Sequence, residues 1–374
     1  MTTLYDKFLG CIAASRVGSA MGYMTEGMSV EQIERNYGRL QSFDVQMARR
    51  VYAGGGTRRR GQRWTEVYFE RTPYKVNPGE TEDGIERQKL ICTAIIEKKG
   101  RISAWDLAQI IKRDVDVEEH VKYRMWFGDA LLYPYIQAGM PPQYAGMFSA
   151  WPGIVSFTRS CHPLGLINAC DPEGAARDAW DVGMIYQPTW STGLPTAAGV
   201  AAGIAEACKP GATIQSVVDV VREVAGEAVR EEIDACLDIA ARHEDVYAMR
   251  GEMNGRFADL VGRAGDYGEE LLAKGLAIFV KTGGDVRETI VAGVNFGRDT
   301  DCVTAIAAGF AGAFSGACGI PAEWIEAVDA QEKVSPHTVN NRTCDEEARG
   351  LYAAFENELA KMQAQIAMAK TRQD

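Results

Sequence analysis

Two acidic clusters carry most of the chemistry this sequence can offer, and each stands where a helix is expected to begin. One is Thr81-Glu82-Asp83 before Gly84, and the other is the run Asn295-Phe296-Gly297-Arg298-Asp299-Thr300-Asp301-Cys302. Helix capping accounts for part of both: Thr81 caps while Glu82 and Asp83 complement the dipole, and Asp299 or Asp301 does the same for the later helix. The second cluster asks for more than a cap. Asp299 and Asp301 precede a segment too small and apolar to neutralise them, and neighbouring carboxylates in such surroundings repel unless a cation or a proton intervenes. Oxygen ligands in this number suit a hard ion such as Mg²⁺, Mn²⁺ or Ca²⁺. The Ala and Gly residues from Ala305 to Ala317 permit close helix approach, which would set the acidic terminus deep within a bundle.

Other chemistries find no support. The four histidines are not paired at helical spacing, and no GxSxG elbow, phosphate-binding P-loop or GxGxxG fingerprint occurs. Forty Lys+Arg against 51 Asp+Glu give a net charge of −11, so a global cationic field for nucleic acid or anionic lipid is absent. Nine scattered cysteines contain no CxxC pair, which argues against a disulfide framework or a zinc ribbon and fits a reducing, cytoplasmic setting. The N-terminus has no secretory pattern. The uncharged stretches 182–205 and 302–322 are long enough to span a membrane, but Pro188 and Pro195 break the first and Ala and Gly dominate the second; both read as buried helices.

The elements that must position the acidic clusters are helical. Apolar residues recur at three and four over 214–242 (Ile214, Val217, Val218, Val221, then Ile233, Cys236, Leu237), and long β-branched alternation is missing, so an all-α fold follows. Residues 4–16 and 84–98 read as helices. Residues 41–80, with Gly54-Gly55-Gly56, Arg58-Arg59-Arg60, Pro73 and Pro78, suit a loop or small insertion beside the cleft, whose arginines could receive a phosphate or carboxylate. Residues 133–190 read as short helices joined by ordered loops, with Trp126, Trp151, Tyr186 and Trp190 as aromatic candidates for stacking on a base. Leu351, Phe355, Leu359, Met362 and Ile366 mark a C-terminal helix within 343–374, docked on the core or forming a homodimer contact.

Taken together, these segments resemble the ADP-ribosylglycohydrolase family. The family's G-x-x-x-G-D-A-x-G-x-x-x-E pattern is similar to Gly18 through Glu26, its T-D-D segment to Thr81-Glu82-Asp83, its R-x-x-P-L-G-L segment to Arg159 through Leu166, and its G-G-D-T-D-T with the following Ala/Gly helix to Gly297 through Gly319. The resemblance implies a single all-α domain over 1–374, a compact orthogonal multi-helix bundle whose cleft binds one or two divalent ions, usually Mg²⁺. Thr81, Glu82, Asp83, Asp299 and Asp301 are then the metal ligands, Glu26, Asp83 and Asp301 the catalytic residues, and Arg159, Arg298 and Trp190 candidates for holding substrate. It implies a metal-dependent hydrolase of a ribosyl N- or O-glycosidic bond in a small nucleoside-like or ADP-ribosyl substrate. Removal of ADP-ribose from a modified protein side chain is one alternative, and a catalytically inactive binding or structural protein is the other. Hydrolysis through an oxocarbenium-like state needs negative charge near the ring, an activated water and a proton donor for the leaving group.

The sequence also departs from the pattern. Ser19 stands where the family commonly has Asp, Glu82 replaces the first Asp of T-D-D, and Cys302 replaces the Thr or Ser that ends the last motif. Glu82 could still bind an ion, whereas a thiol is a poor partner for Mg²⁺ and a good one for softer metals. Arg298 lies where the family often has glycine. It is expected to pair with Asp299 or to hold an anionic part of the substrate by a bidentate contact.

Overall fold

Thr3 opens the first helix through a capping box with Asp6, and the helix then runs without a break over twenty residues. The computed structural model describes residues 2–44, 77–117, 132–258, 267–335 and 338–370. In chain order the helices are α1 (Leu4–Tyr23), α2 (Val30–Tyr37), α3 (Asp83–Lys98), α4 (Ala104–Asp114), α5 (Tyr133–Gln137), α6 (His162–Ile167), α7 (Pro172–Gly183) and α8 (Gly193–Ala207). They continue as α9 (Ile214–Val224), α10 (Gly226–Arg242), α11 (Arg250–Ala258), α12 (Gly268–Lys281), α13 (Val286–Val294), α14 (Thr300–Ser315), α15 (Ala322–Glu332) and α16 (Cys344–Lys370). No strand forms among the described residues; Met28 with Arg298 and Ile154 with Tyr267 make isolated bridges. The all-α expectation holds. None of the described helices is long and apolar enough to cross a membrane.

Helix α1 continues seven residues past the expected end because its glycines face a partner instead of water. Alongside α14 the backbones meet directly: a Cβ on Gly10 would lie 2.5 Å from the Gly312 carbonyl oxygen, and one on Gly22 would lie 2.6 Å from Asp301 Cα. The helix penalty of glycine, about 1 kcal/mol each, is offset by this close packing. Thus the Ala/Gly run after Asp301 does bring a neighbouring helix against α14, which is buried from Thr300 to Ala313. The 214–242 periodicity resolves into two helices because Gly226 takes a left-handed φ of +77° between them.

One apolar cluster runs from Phe8 to Phe355. In α16 the docking extends only over the first half. Phe355 packs on Phe8 with ring centroids 5.7 Å apart, whereas Leu359, Met362 and Ile366 are exposed. Much of the 41–80 segment, with Arg58, Arg59 and Arg60, lies outside the described residues, as does Trp126.

His162, at the start of α6, ties that helix to α14 from inside. Its Nε2 lies 3.1 Å from the Ala305 carbonyl oxygen and its Nδ1 3.3 Å from Gln88 Nε2, so Nε2 donates and Nδ1 accepts in the neutral ring. Burial, opposed by bonds to backbone carbonyls, lowers its pKa to about 4. The unfolded chain therefore takes up a proton near pH 6.5 that the folded chain refuses until about 4, so stability is retained above this window and lost as pH falls through it. That depression corresponds to about 3 kcal/mol. Urea titrations between about pH 7.5 and pH 4.5 are expected to show that loss in the wild type beyond what His162→Gln loses over the same range. Equal losses would remove His162 as the cause.

Candidate active site

The N-terminus of α14 is built against the C-terminus of α1. Thr300 Oγ1 donates to the Gly22 carbonyl oxygen at 2.8 Å, and Thr25 Oγ1 donates to the Val294 carbonyl oxygen at 2.7 Å. Asp299 is the N-cap of α14 and accepts from the Cys302 amide at 3.3 Å, so the capping reading is correct for this residue. Asp301 follows in the first turn and is only 1 % exposed. For α3 the cap is Glu82, which accepts from the Gly84 amide at 3.3 Å; the expected cap, Thr81, instead donates to Glu332 Oε1 at 3.1 Å.

The two acidic segments meet on Arg159. Its guanidinium donates to Asp301 Oδ2 at 2.8 Å and to Glu82 Oε2 at 2.9 Å, and it also bonds Asp83. The arginine is 6 % exposed. Burial works against its charge, but the acidic groups around it outweigh that cost and hold it protonated. Expected as a substrate contact, Arg159 turns its two Nη groups to three carboxylates inside the protein, while its Nε is buried without a hydrogen-bond partner. Gly84 makes room for it: a Cβ there would fall 2.4 Å from Arg159 Nε. Arg87, four residues after Asp83, adds a second cation by pairing with that carboxylate. That i, i+4 spacing is visible in the sequence itself.

Glu26 reaches the same place by a route that backbone bonds make definite. Gly27 N donates to the Arg298 carbonyl oxygen at 2.7 Å and Arg298 N to the Met28 carbonyl oxygen at 2.9 Å. The chain is therefore pinned to the approach of α14 directly after Glu26. Desolvation is the first cause that pushes the Asp299 carboxyl well above its ordinary range; the nearby Asp301 and Glu26 carboxylates push the same way and Arg159 opposes them. Arg298 itself takes a left-handed φ of +67°, a conformation that disfavours residues other than glycine. Its side chain turns from Asp299 to Glu270, with Nε–Oε1 2.9 Å and Nη2–Oε2 3.2 Å, so the expected Arg298–Asp299 pair does not form.

A carboxylate oxygen from each of Asp299 and Asp301 and the Cys302 sulfur lie within 4.8 Å of one another. Asp301 Oδ1 is buried and accepts no hydrogen bond. An orphaned carboxylate oxygen among desolvated acidic groups is a fit for a cation. The hydroxyl of Thr81 is engaged with Glu332, and the Glu82 and Asp83 carboxylates are engaged with Arg159. Among the aromatic candidates, Tyr186 is buried and stacks on Phe157 with centroids 5.2 Å apart, which makes it a core residue, while Trp190 is 69 % exposed.

The family model described as ADP-ribosylglycohydrolase matches residues 1–358. The chain belongs to the ADP-ribosylglycohydrolase family. A solved structure titled ADP-ribosylglycohydrolase-related protein complex is similar to it at 18 % identity and a TM-score of 0.64, over 95 % of this chain and 100 % of that one, a likeness that speaks for the fold alone. Comparison with curated proteins gives no match. Family membership makes glycohydrolase activity on ADP-ribosyl-type substrates the relevant chemistry.

A separate charged cluster escaped sequence reading. Lys89 Nζ donates to Glu86 Oε1 at 2.6 Å and to Thr338 Oγ1 at 2.7 Å, and also pairs with Glu332, the residue that accepts from Thr81. Buried on one face of α3, it connects the start of that helix to α15. Only the Glu86–Lys89 pair is local, at i, i+3; Glu332 and Thr338 are 243 and 249 residues from Lys89 along the chain.

Proposed function

We propose that this protein is a divalent-metal-dependent hydrolase of a ribosyl N- or O-glycosidic bond in a small nucleoside-like or ADP-ribosyl substrate. The observation that supports this best is a buried Asp301 oxygen that accepts no hydrogen bond, in a group with the Asp299 carboxyl and the Cys302 sulfur. Asp299 and Asp301 would hold the cation. When bound, a divalent ion supplies a Lewis acid that orients ribose hydroxyls and lowers the pKa of water. Arg159 fixes the Asp301 carboxylate by gripping Oδ2, which leaves Oδ1 as the oxygen available to a ligand. Glu26, half-buried beside Asp299, is the carboxylate placed to hand a proton to the leaving group or take one from water. The concentration of carboxylates supplies the negative charge that an oxocarbenium-like ring requires.

The assay compares release of ADP-ribose from a small ADP-ribosyl N-glycoside and from an ADP-ribosylated protein, each with Mg²⁺, with Mn²⁺ and with chelator. Turnover of the small substrate that chelator abolishes is the expected result. Turnover of the modified protein alone would transfer the reading to the protein-directed alternative. One observation favours the non-catalytic alternative: Glu82, Asp83 and Asp301 already share a buried cation, Arg159, without any ion. Failure to hydrolyse either substrate, together with no divalent binding in calorimetry, would establish it.

A further inference from the structure

The first turn of α14 offers an unusual pair of donor types. Asp299 and Asp301 contribute oxygen, but the third group within 4.8 Å is the Cys302 sulfur, which is 4 % exposed and 3.7 Å from Asp301 Oδ2. Glu82 and Asp83 are bonded to Arg159 and Thr81 to Glu332, so the sulfur is the third donor that the first turn of α14 itself supplies. Asp301 Oδ1, buried and accepting no hydrogen bond, is a second observation that points to a ligand at this group.

We propose that Asp299, Asp301 and Cys302 form a single mixed oxygen–sulfur site that selects a borderline divalent cation of the Zn²⁺ or Co²⁺ type over Mg²⁺. The inference rests on the reading that this end of α14 binds a cation, and it replaces the hard ion of that reading with a softer one. Mg²⁺ demands six oxygen donors in near-ideal octahedral array and gains little from a thiolate, whereas Zn²⁺ and Co²⁺ accept sulfur with carboxylate oxygen at low coordination number. On binding, the metal–sulfur bond forms as the thiol proton leaves to solvent, and no electron is transferred. Arg159, bonded to Glu82 and Asp83, places one positive charge on their side of the site.

The test titrates the full chain with Co²⁺ in a large excess of Mg²⁺ and follows sulfur-to-cobalt charge-transfer absorption, with calorimetry for stoichiometry. One equivalent of Co²⁺ is expected to bind with that band. Cys302→Ser is expected to lose the band and to weaken Co²⁺ at least about tenfold, while Cys302→Thr tightens Mg²⁺. Circular dichroism of both variants checks that they fold, and a folded Cys302→Ser that keeps the band would assign it to another cysteine and overturn the proposal. Mg²⁺ binding to the wild type with no sulfur band from Co²⁺ would overturn the sulfur ligand and leave the cation reading standing. No binding of any divalent ion would overturn both.

Discussion

Asp301→Asn is expected to abolish turnover, by at least about 100-fold, with almost no loss of helix. The amide keeps the size of the carboxylate and still accepts from Arg159 Nη1, which the wild-type Oδ2 does at 2.8 Å. What disappears is the charge. Two effects on stability then oppose each other: Arg159 loses one of three anionic partners, while Asp299 is relieved of a neighbouring carboxylate that helps hold its proton on. The balance is expected to fall within about 1 kcal/mol, the net worth of one hydrogen bond. Initial rates on the ADP-ribosyl substrate, beside far-ultraviolet circular dichroism, separate function from folding. A variant with wild-type rates would take Asp301 out of the site.

Arg159→Met should produce the opposite pattern, a large loss of stability. Methionine keeps much of the arginine's volume but removes the cation from between Glu82, Asp83 and Asp301. Breaking a buried pair by deleting one member costs about 3–5 kcal/mol, and because Arg87 remains with Asp83 the lower end is expected here. The pH dependence identifies the cause. Without the guanidinium, the clustered carboxylates prefer to stay protonated in the fold, so their folded pKa values lie above the unfolded ones and the penalty grows as pH rises. Urea midpoints at about pH 7.5 and pH 5.5 are expected to show the deficit of the variant relative to wild type shrinking at the lower pH. A deficit independent of pH would assign the loss to packing instead of charge.

The elements themselves were largely readable. The α3 helix begins one residue before its expected start, and the short helices between residues 133 and 190 fall where prolines alternate with apolar residues. Capping and periodicity are local, so the sequence carries them openly. The end of α1 was less legible because Gly18 and Gly22 argue against a helix until α14 is laid on them. The exposed second half of α16 shows the same limit, since an apolar stripe at helical spacing does not reveal whether a partner surface is present.

What the residue order determined by itself is the supply of chemistry: acidic side chains at two helix starts, a thiol beside one of them, and small residues that let helices touch. What only the tertiary structure decided is which charges compensate which. Arg159 could have faced solvent or substrate, yet it lies between Glu82, Asp83 and Asp301; Arg298 could have answered Asp299, yet it turns to Glu270. Ionic and hydrogen-bonding partners are selected by distance in space and by the low dielectric of a buried setting, and neither quantity is written in the spacing of residues along a chain.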